Sequence, residues 1–175
     1  MKSLSTRTLT LTAMFAAISI ILARLLGFYI TESQRISFEY FPIILAGICF
    51  GPVAGAIVGG VADFMGATVL SGLGFYPPLI VGPILAGLLS GLFAKYALRN
   101  GNYSWINVMT VSIIAELLAN LLWGSYAVSN LYSIPFFTSL IARAPFKIAI
   151  AVVDAQFVYV VLKALRPMLK NYGRA

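Results

Sequence analysis

Long apolar runs, broken only by short polar or glycine- and proline-containing segments, constrain the fold of this chain more than any other feature. A helix needs about 20 mostly apolar residues to cross a bilayer, and the runs approach or exceed that length. Of the 175 residues, 61% are hydrophobic and 10% are charged, whereas soluble domains have about 25% charged residues. A soluble fold of this size cannot bury so much apolar surface. We therefore predict an all-α integral membrane protein.

The breaks between the runs predict six transmembrane helices, which form a single domain over residues 1–175. The helices are predicted at residues 8–26, 36–50, 53–70, 77–98, 104–126 and 135–165. The first run follows Lys2 and Arg7, as a signal peptide would, but it is long and no small-residue cleavage site follows it. We expect it to be retained as the first helix.

The basic residues predict the orientation, because Lys and Arg concentrate near the cytoplasmic ends of membrane helices. The side of the six-helix bundle that holds both termini carries Lys2, Arg7, Lys95, Arg99, Lys163, Arg166, Lys170 and Arg174. The opposite side has only Arg24 and Arg35. Both termini are therefore predicted to be cytoplasmic. Topology also accounts for the net charge of +7, so the charge does not indicate nucleic-acid binding.

Several kinds of chemistry lack the residues that they need. The chain has no His, and Cys49 is its only cysteine, so neither an internal disulfide nor a cysteine zinc site is possible. The glycine-containing segment 72–78 lacks the Gly-Lys-Ser/Thr ending of a phosphate-binding loop. We therefore predict no catalytic residues, no metal, no cofactor and no hydrolysis of ATP by this chain.

Small residues recur at intervals of four, a spacing that lets membrane helices approach closely. Gly47, Gly51, Gly55 and Gly59 follow this spacing, and we interpret them as internal packing. Ala13 and Ala17 form a similar patch on the first helix. From spacing alone, the helix that docks on this patch can belong to this chain or to a partner.

Ionisable residues at membrane depth are costly, so each one is a candidate for function. The chain has Asp63, Glu116, Arg143, Lys147 and Asp154 in its predicted helices. Glu116 is four residues before Asn120, with Trp123 near the same face, and Arg143 is four residues before Lys147. Arg35 and Glu39 are predicted at the outer mouth, and Asp154 nearer the cytoplasm.

Two interpretations of these residues remain open. In one, Asp63 and Glu116 pair with Arg143 and Lys147 and hold the bundle together, because buried charges usually find partners. In the other, the polar residues form a pocket that opens outward and has aromatic walls such as Tyr76 and Trp123. Two adjacent cations suit a ligand that carries carboxylates. Asp63 or Glu116 suits a ligand that presents paired N–H donors.

These residues resemble a known family, the substrate-binding S components of energy-coupling factor (ECF) vitamin transporters, and most closely the folate type. The resemblance covers nearly the whole chain. Its strongest stretches are Arg35-Ile36-Ser37-Phe38, residues 41–47, residues 50–56 and Ala62-Asp63 with Gly66. Asn120 to Trp123 and Arg143 to Lys147 also match, whereas the loop at residues 71–78 departs from the expected form.

The resemblance implies a vitamin site that faces outward, with folate as its ligand, formed by Arg35, Asp63, Tyr76, Glu116, Asn120, Trp123, Arg143 and Lys147. It also implies that Ala13 and Ala17 dock the membrane coupling subunit EcfT, which works with two ABC-type ATPases in the bacterial plasma membrane. The folate glutamyl tail has carboxylates that Arg and Lys can bind.

Three alternatives follow from the same residues. Related S components bind other vitamins, such as pantothenate or queuosine precursors. A stand-alone ion-coupled carrier would use Asp63 or Glu116 as the titrating group. A small membrane enzyme would need a nucleophile–base pair or a metal cluster, and the sequence offers neither.

Overall fold

The computed structural model describes residues 6–25, 27–31, 34–70, 76–98 and 103–170. Its elements are α1 (Thr6–Leu25), α2 (Tyr40–Phe50), α3 (Pro52–Met65), α4 (Pro77–Ala97), α5 (Trp105–Glu116), α6 (Gly124–Tyr132) and α7 (Phe136–Lys170). A first π-helical segment, Gly66–Leu70, extends α3, and a second, Leu117–Trp123, joins α5 to α6. The described residues thus form six helical rods, as predicted.

Three of these rods are long and apolar enough to cross a membrane by length and composition. They are Pro77–Ala97, Trp105–Tyr132 and Phe136–Leu165. The other apolar helices are shorter, at Thr8–Arg24, Tyr40–Phe50 and Pro52–Thr68. The predicted fold class, an all-α membrane bundle, is confirmed.

A small antiparallel hairpin between α1 and α2 was not predicted. Its strands are β1 (Phe28–Thr31) and β2 (Gln34–Ile36), and Tyr29 pairs with Arg35. The aromatic and β-branched residues of β1 favour an extended chain. The predicted second helix began at residue 36, but α2 begins at Tyr40, because residues up to Ile36 pair as a strand instead.

The last helix also extends beyond its predicted end. We expected it to stop at residue 165, before Pro167, but α7 continues to Lys170. A proline marks a helix boundary only as a tendency. Here α7 already contains Pro145, so this helix passes through two prolines.

Glycines bring α2, α3 and α4 close together, and this confirms the packing role predicted for Gly47, Gly55 and Gly59. Gly51 instead forms the turn between α2 and α3, with a φ of 97°. A Cβ atom added to Gly55 would collide with the carbonyl oxygen of Gly87, and one added to Gly87 would collide with that of Gly55. Gly47 faces Gly87 and Ser90 in the same way. The apolar core centres on α2, where Ile43, Ile44, Leu45 and Ala46 are almost completely buried.

Candidate ligand-binding site

A group of buried polar side chains, called here the central cluster, lies between α2, α5, the second π-segment and α7. Electrostatic interactions and hydrogen bonds connect its members: Glu39, Tyr40, Glu116, Asn120, Ser125, Arg143, Lys147 and Asp154. Four of the eight predicted ligand residues belong to it, namely Glu116, Asn120, Arg143 and Lys147.

The second π-segment shapes the wall of this cluster. It begins directly after Glu116 and contains both Asn120 and Trp123. A π-helical turn holds more residues than an α-helical turn, so it changes the direction of the side chains that follow, and such turns are frequent at functional sites. Glu116 and Asn120 both remain buried in this arrangement.

Arg143 is the most buried cation described, with 7% of its side chain exposed. Its guanidinium lies over Gly124, where a Cβ atom would be 3.3 Å from both Nη1 and Nη2. Nη1 donates a long hydrogen bond of 3.5 Å to Ser125 Oγ. The same Gly124 position is 3.5 Å from Asn120 Oδ1. Nε has no hydrogen-bond partner among the described residues, so this arginine retains capacity to bind an anion.

Two acids of the cluster are completely buried. Glu116 is 1% exposed and Asp154 is 0% exposed, and each interacts electrostatically with Lys147. Within the described part of the chain, none of their four oxygens has a hydrogen bond of normal geometry, although Asn120 is near enough to interact with Glu116. Buried polar oxygens without partners are rare in folded proteins and call for an explanation.

Asp154 and Glu39 belong to one cluster, contrary to the sequence prediction that separated them by membrane depth. They interact electrostatically because the beginning of α2 packs on α7. The ring centroids of Phe41 and Phe157 are 6.1 Å apart, and those of Phe38 and Phe157 are 6.5 Å apart. The spacing of Lys147 and Asp154, seven residues on one helix, is the signal that would have placed both on one face.

Tyr40, like Ser125, belongs to the cluster but was not named as a candidate from the sequence. It is 7% exposed, and a Cβ atom on Gly82 of α4 would lie 3.3 Å from its hydroxyl oxygen. Glu116 and Arg143 are both within electrostatic range of this hydroxyl. Nothing in the local sequence of an aromatic residue at a helix start distinguishes it from a core residue.

Of the two predicted aromatic residues, Trp123 lies at the edge of the cluster. The Trp123 indole N–H donates a 2.8 Å hydrogen bond to the carbonyl oxygen of Pro78, so it is already used to join the second π-segment to α4. Its ring lies against Gly82 on one side and against Tyr126 on the other. Tyr76 is half-buried directly before α4, and its carbonyl accepts a hydrogen bond from Leu79.

Asp63 lies in a different polar group, called here the α1–α3 cleft. It lines this narrow cleft with Ser19, Arg24, Glu39 and Gly66. Arg24 donates a hydrogen bond to the carbonyl oxygen of Gly66, at the start of the first π-segment. Within the described residues α3 contacts neither α5 nor α7, so the structure does not bring Asp63 beside Arg143 or Lys147. Glu39 and Tyr40 adjoin both groups.

Two further predictions concern Arg35 as a ligand residue and the alanine patch of α1 as a docking surface. Arg35 belongs to β2, which contacts α7, but the position of its side chain lies outside the described part. Ala13 and Ala17 are exposed, as are Met14, Ile18 and Ile21, whereas Ala16 packs inward. The alanine patch therefore faces away from the rest of this chain.

The arrangement suits ligand binding better than catalysis. It combines a buried arginine, two buried acids whose oxygens have no hydrogen bond of normal geometry within the described residues, and the Trp123 ring at one edge. Among the described residues, no group of three or more His, Cys, Asp or Glu side chains is placed to hold a metal ion.

Comparison with known proteins shows what this chain is similar to. A family model described as "ECF transporter, substrate-specific component" matches residues 7–163. The chain is 22% identical to the folate transporter FolT of Clostridium novyi (strain NT) over 132 residues, which is 75% of this chain and 76% of that protein. It is also 36% identical over 97 residues to a UPF0397 protein of Streptococcus pneumoniae (strain Hungary19A-6), covering 54% of this chain and 52% of that relative.

Two solved structures share the fold. One is FolT bound with folic acid, with a TM-score of 0.74 and 23% identity over 90% of this chain and 93% of that one. The other is the S-component for biotin from an ECF-type ABC transporter, with a TM-score of 0.72 and 24% identity over 93% of this chain and 94% of that one. At this identity the likeness shows a common backbone arrangement.

Proposed function

Because the chain belongs to the substrate-specific components of ECF transporters, we propose that its central cluster binds folate and that partner subunits complete its transport. Folate is chosen because one relative is a folate transporter and a protein of the same fold holds folic acid. We also propose that the chain lies in the plasma membrane of a bacterium.

The observation that carries the choice of site is the burial of Arg143 with no acid in contact with its guanidinium among the described residues. Its guanidinium contacts neutral groups, namely Ser125 and the backbone region of Gly124. A buried cation is costly unless a negative group is supplied. A carboxylate of the folate tail supplies that group and can accept two hydrogen bonds from one guanidinium.

The other end of folate is flat and carries amine and ring N–H donors. Glu116 offers oxygens without hydrogen-bond partners, and Asn120 and Tyr40 offer further polar atoms in the same cluster. Trp123 supplies aromatic surface at its edge. Lys147 is shared with the two buried acids, so we assign it a smaller part in holding the tail than Arg143.

A titration with purified full-length chain tests the proposal. We expect folate to bind, and to bind more tightly than biotin or pantothenate. Biotin is the second candidate, because the biotin S-component matches this fold nearly as well as the folate protein. Tighter binding of biotin than of folate would replace folate as the ligand, and binding of neither would refute the site.

The exposed patch of Ala13 and Ala17 is the proposed docking face for the coupling subunit EcfT, with two ABC-type ATPases supplying the energy. Replacing both alanines by Trp should abolish uptake into cells that contain the partners, because bulky rings prevent close helix approach. Folate affinity of the isolated chain should stay within about twofold, since both side chains face outward. Met14→Trp, an exposed change between them, is the control. Normal uptake by the double variant would contradict this interface.

A further inference from the structure

Ser125 is a buried residue that two side chains of α7 contact at once. It follows Gly124 at the start of α6, and it is 0% exposed. Arg143 Nη1 donates a 3.5 Å hydrogen bond to its Oγ, and Ser139 Oγ donates a 3.4 Å hydrogen bond to its carbonyl oxygen. Ser139 and Arg143 are four residues apart, so they lie on the same face of α7. The hydroxyl and the carbonyl of Ser125 are therefore both used against that face.

The second π-segment prepares this meeting of a serine with a guanidinium. It ends at Trp123, directly before Gly124. A π-helical turn holds more residues than an α-helical turn, so it rotates the residues that follow it relative to those before it. Gly124 and Ser125 are both buried in the resulting arrangement. Since Gly124 has no side chain, the guanidinium can lie close to the backbone of α6 and reach the hydroxyl of the next residue.

The hydrogen bond to Ser125 uses only one of the three nitrogens of the Arg143 guanidinium. This group is planar and presents its N–H donors in fixed directions, with Nε and Nη2 on one edge and Nη1 outside that edge. Nε is buried and has no hydrogen-bond partner among the described residues. Holding Nη1 at Ser125 therefore also fixes the direction of the Nε–Nη2 edge, and the bond to Ser125 does not occupy that edge.

We propose that Ser125 is a positioning residue for the ligand site, which holds Arg143 so that its Nε–Nη2 edge binds a single carboxylate through two parallel hydrogen bonds. Bidentate pairs of this kind add geometric specificity as well as energy. A long side chain loses entropy when a ligand orders it, and one that is already held before binding loses less. This inference rests on the proposed function, because the tail of folate supplies the carboxylate. Ser125 acts through Arg143 and not by touching the ligand.

Titration of purified, full-length Ser125→Ala with folate and with pteroate tests the proposal. The change removes the hydroxyl oxygen and leaves a small residue that favours helix. We expect the dissociation constant for folate to rise by about three- to tenfold, as the loss of one hydrogen bond predicts, and that for pteroate to rise by less than about twofold. Unchanged folate affinity, or equal losses for the two ligands, overturns the positioning role.

Ser139→Ala is the matched control. It removes the other side-chain hydrogen bond between α6 and α7 and leaves the hydrogen bond of Arg143 to Ser125 in place. If Ser125 only joined the two helices, both variants would lose folate affinity together. We expect Ser139→Ala to change the folate dissociation constant by less than about twofold. A loss equal to that of Ser125→Ala overturns the assignment.

A double-mutant cycle gives a result that a purely structural role would not produce. In a chain that already carries Arg143→Ala, the change Ser125→Ala should weaken folate binding by less than about a further twofold, because no guanidinium remains to be held. A further loss as large as in the wild-type chain overturns the coupling of the two residues. If Ser125→Ala does not fold, Ser125→Cys, which keeps the size of the side chain but is a weaker acceptor, is titrated against the same criteria.

The same titrations separate failure of this inference from failure of the proposed function. A wild-type chain that binds no folate refutes the proposed function and the positioning role with it. Folate binding that Arg143→Ala leaves unchanged refutes the site. Binding that Arg143→Ala weakens and Ser125→Ala does not overturns the positioning role alone and leaves the proposed function intact.

Discussion

Arg24 and Arg143 are placed alike in two different parts of the bundle, and their surroundings separate their roles. Each guanidinium lies over a glycine beside a π-helical segment: a Cβ atom would be 3.2 Å from Arg24 Nη2 at Gly66, and 3.3 Å from Arg143 Nη1 at Gly124. Each also has an Nε without a partner among the described residues.

The difference lies in the acids around them. Arg24 shares its cleft with Glu39 and Asp63, and it donates to the Gly66 carbonyl, so its charge is used within the protein. Arg143 contacts neutral groups at Ser125 and Gly124. We therefore propose that Arg24, which shares its cleft with acids, serves packing, and that Arg143, whose described contacts are neutral, serves a ligand.

Replacing Arg143 by Ala should have the largest effect on folate affinity. Truncating one partner of a buried charge pair costs about 2–5 kcal/mol of binding free energy. The dissociation constant for folate should therefore rise at least about 30-fold. Pteroate, which lacks the glutamyl tail, should lose much less. Equal losses for folate and pteroate in a titration would show that Arg143 does not hold the tail.

Lys147→Ala should weaken folate binding less, by about tenfold, which corresponds to roughly 1.4 kcal/mol. Lys147 already interacts with Glu116 and Asp154, so only part of its charge is available to a ligand. The same samples should melt at lower temperature, because two buried acids lose their cation. An affinity loss larger than that of Arg143→Ala would reverse the roles of the two cations.

Gly124→Ala should reduce affinity by a few-fold at most, which is below about 1 kcal/mol. The added methyl group meets the Arg143 guanidinium at 3.3 Å, and the guanidinium must shift by a few tenths of an ångström. Gly66→Ala makes the equivalent change beneath Arg24 and is the matched control. Folate titration should separate the two, and an equal loss at Gly66 would argue against a local effect.

Arg24→Ala should change folate affinity least, by less than about twofold, while it lowers thermal stability. Loss of a charged hydrogen bond to a buried carbonyl costs about 1.5–3 kcal/mol. Melting and titration on the same purified sample measure both effects. A large affinity loss without destabilisation would place Arg24 in the ligand site and remove the contrast with Arg143.

Much of the fold follows from apolar runs, because a bilayer leaves few alternatives to helices. The apolar runs predicted all six rods within a few residues, and the glycine spacing predicted close helix packing without indicating which helices pack together. The hairpin at Phe28–Thr31 and Gln34–Ile36 was not predicted. Its first residues prolong the apolar run of the first helix, and Ile36 was taken as the start of the second helix.

The candidate site was predictable only in part. The cost of buried charge pointed to Glu116, Arg143 and Lys147 from sequence alone. The sequence did not show that Asp63 lies apart from these residues, nor that Glu39 interacts with Asp154. Both facts depend on which helices pack together across the bundle. Glu39 and Asp154, for example, are more than a hundred positions apart in the sequence, and local spacing carries no information about which helices bring them together.

A structure of the chain with folate bound tests the central claim most directly. We expect a carboxylate of folate within about 3 Å of the Arg143 guanidinium, the distance of a charge-assisted hydrogen bond, with the flat ring system near Glu116 and Asn120. Arg24 should still donate to Gly66. Folate seated on Arg24 and Asp63, or bound with no contact to Arg143, would contradict the account.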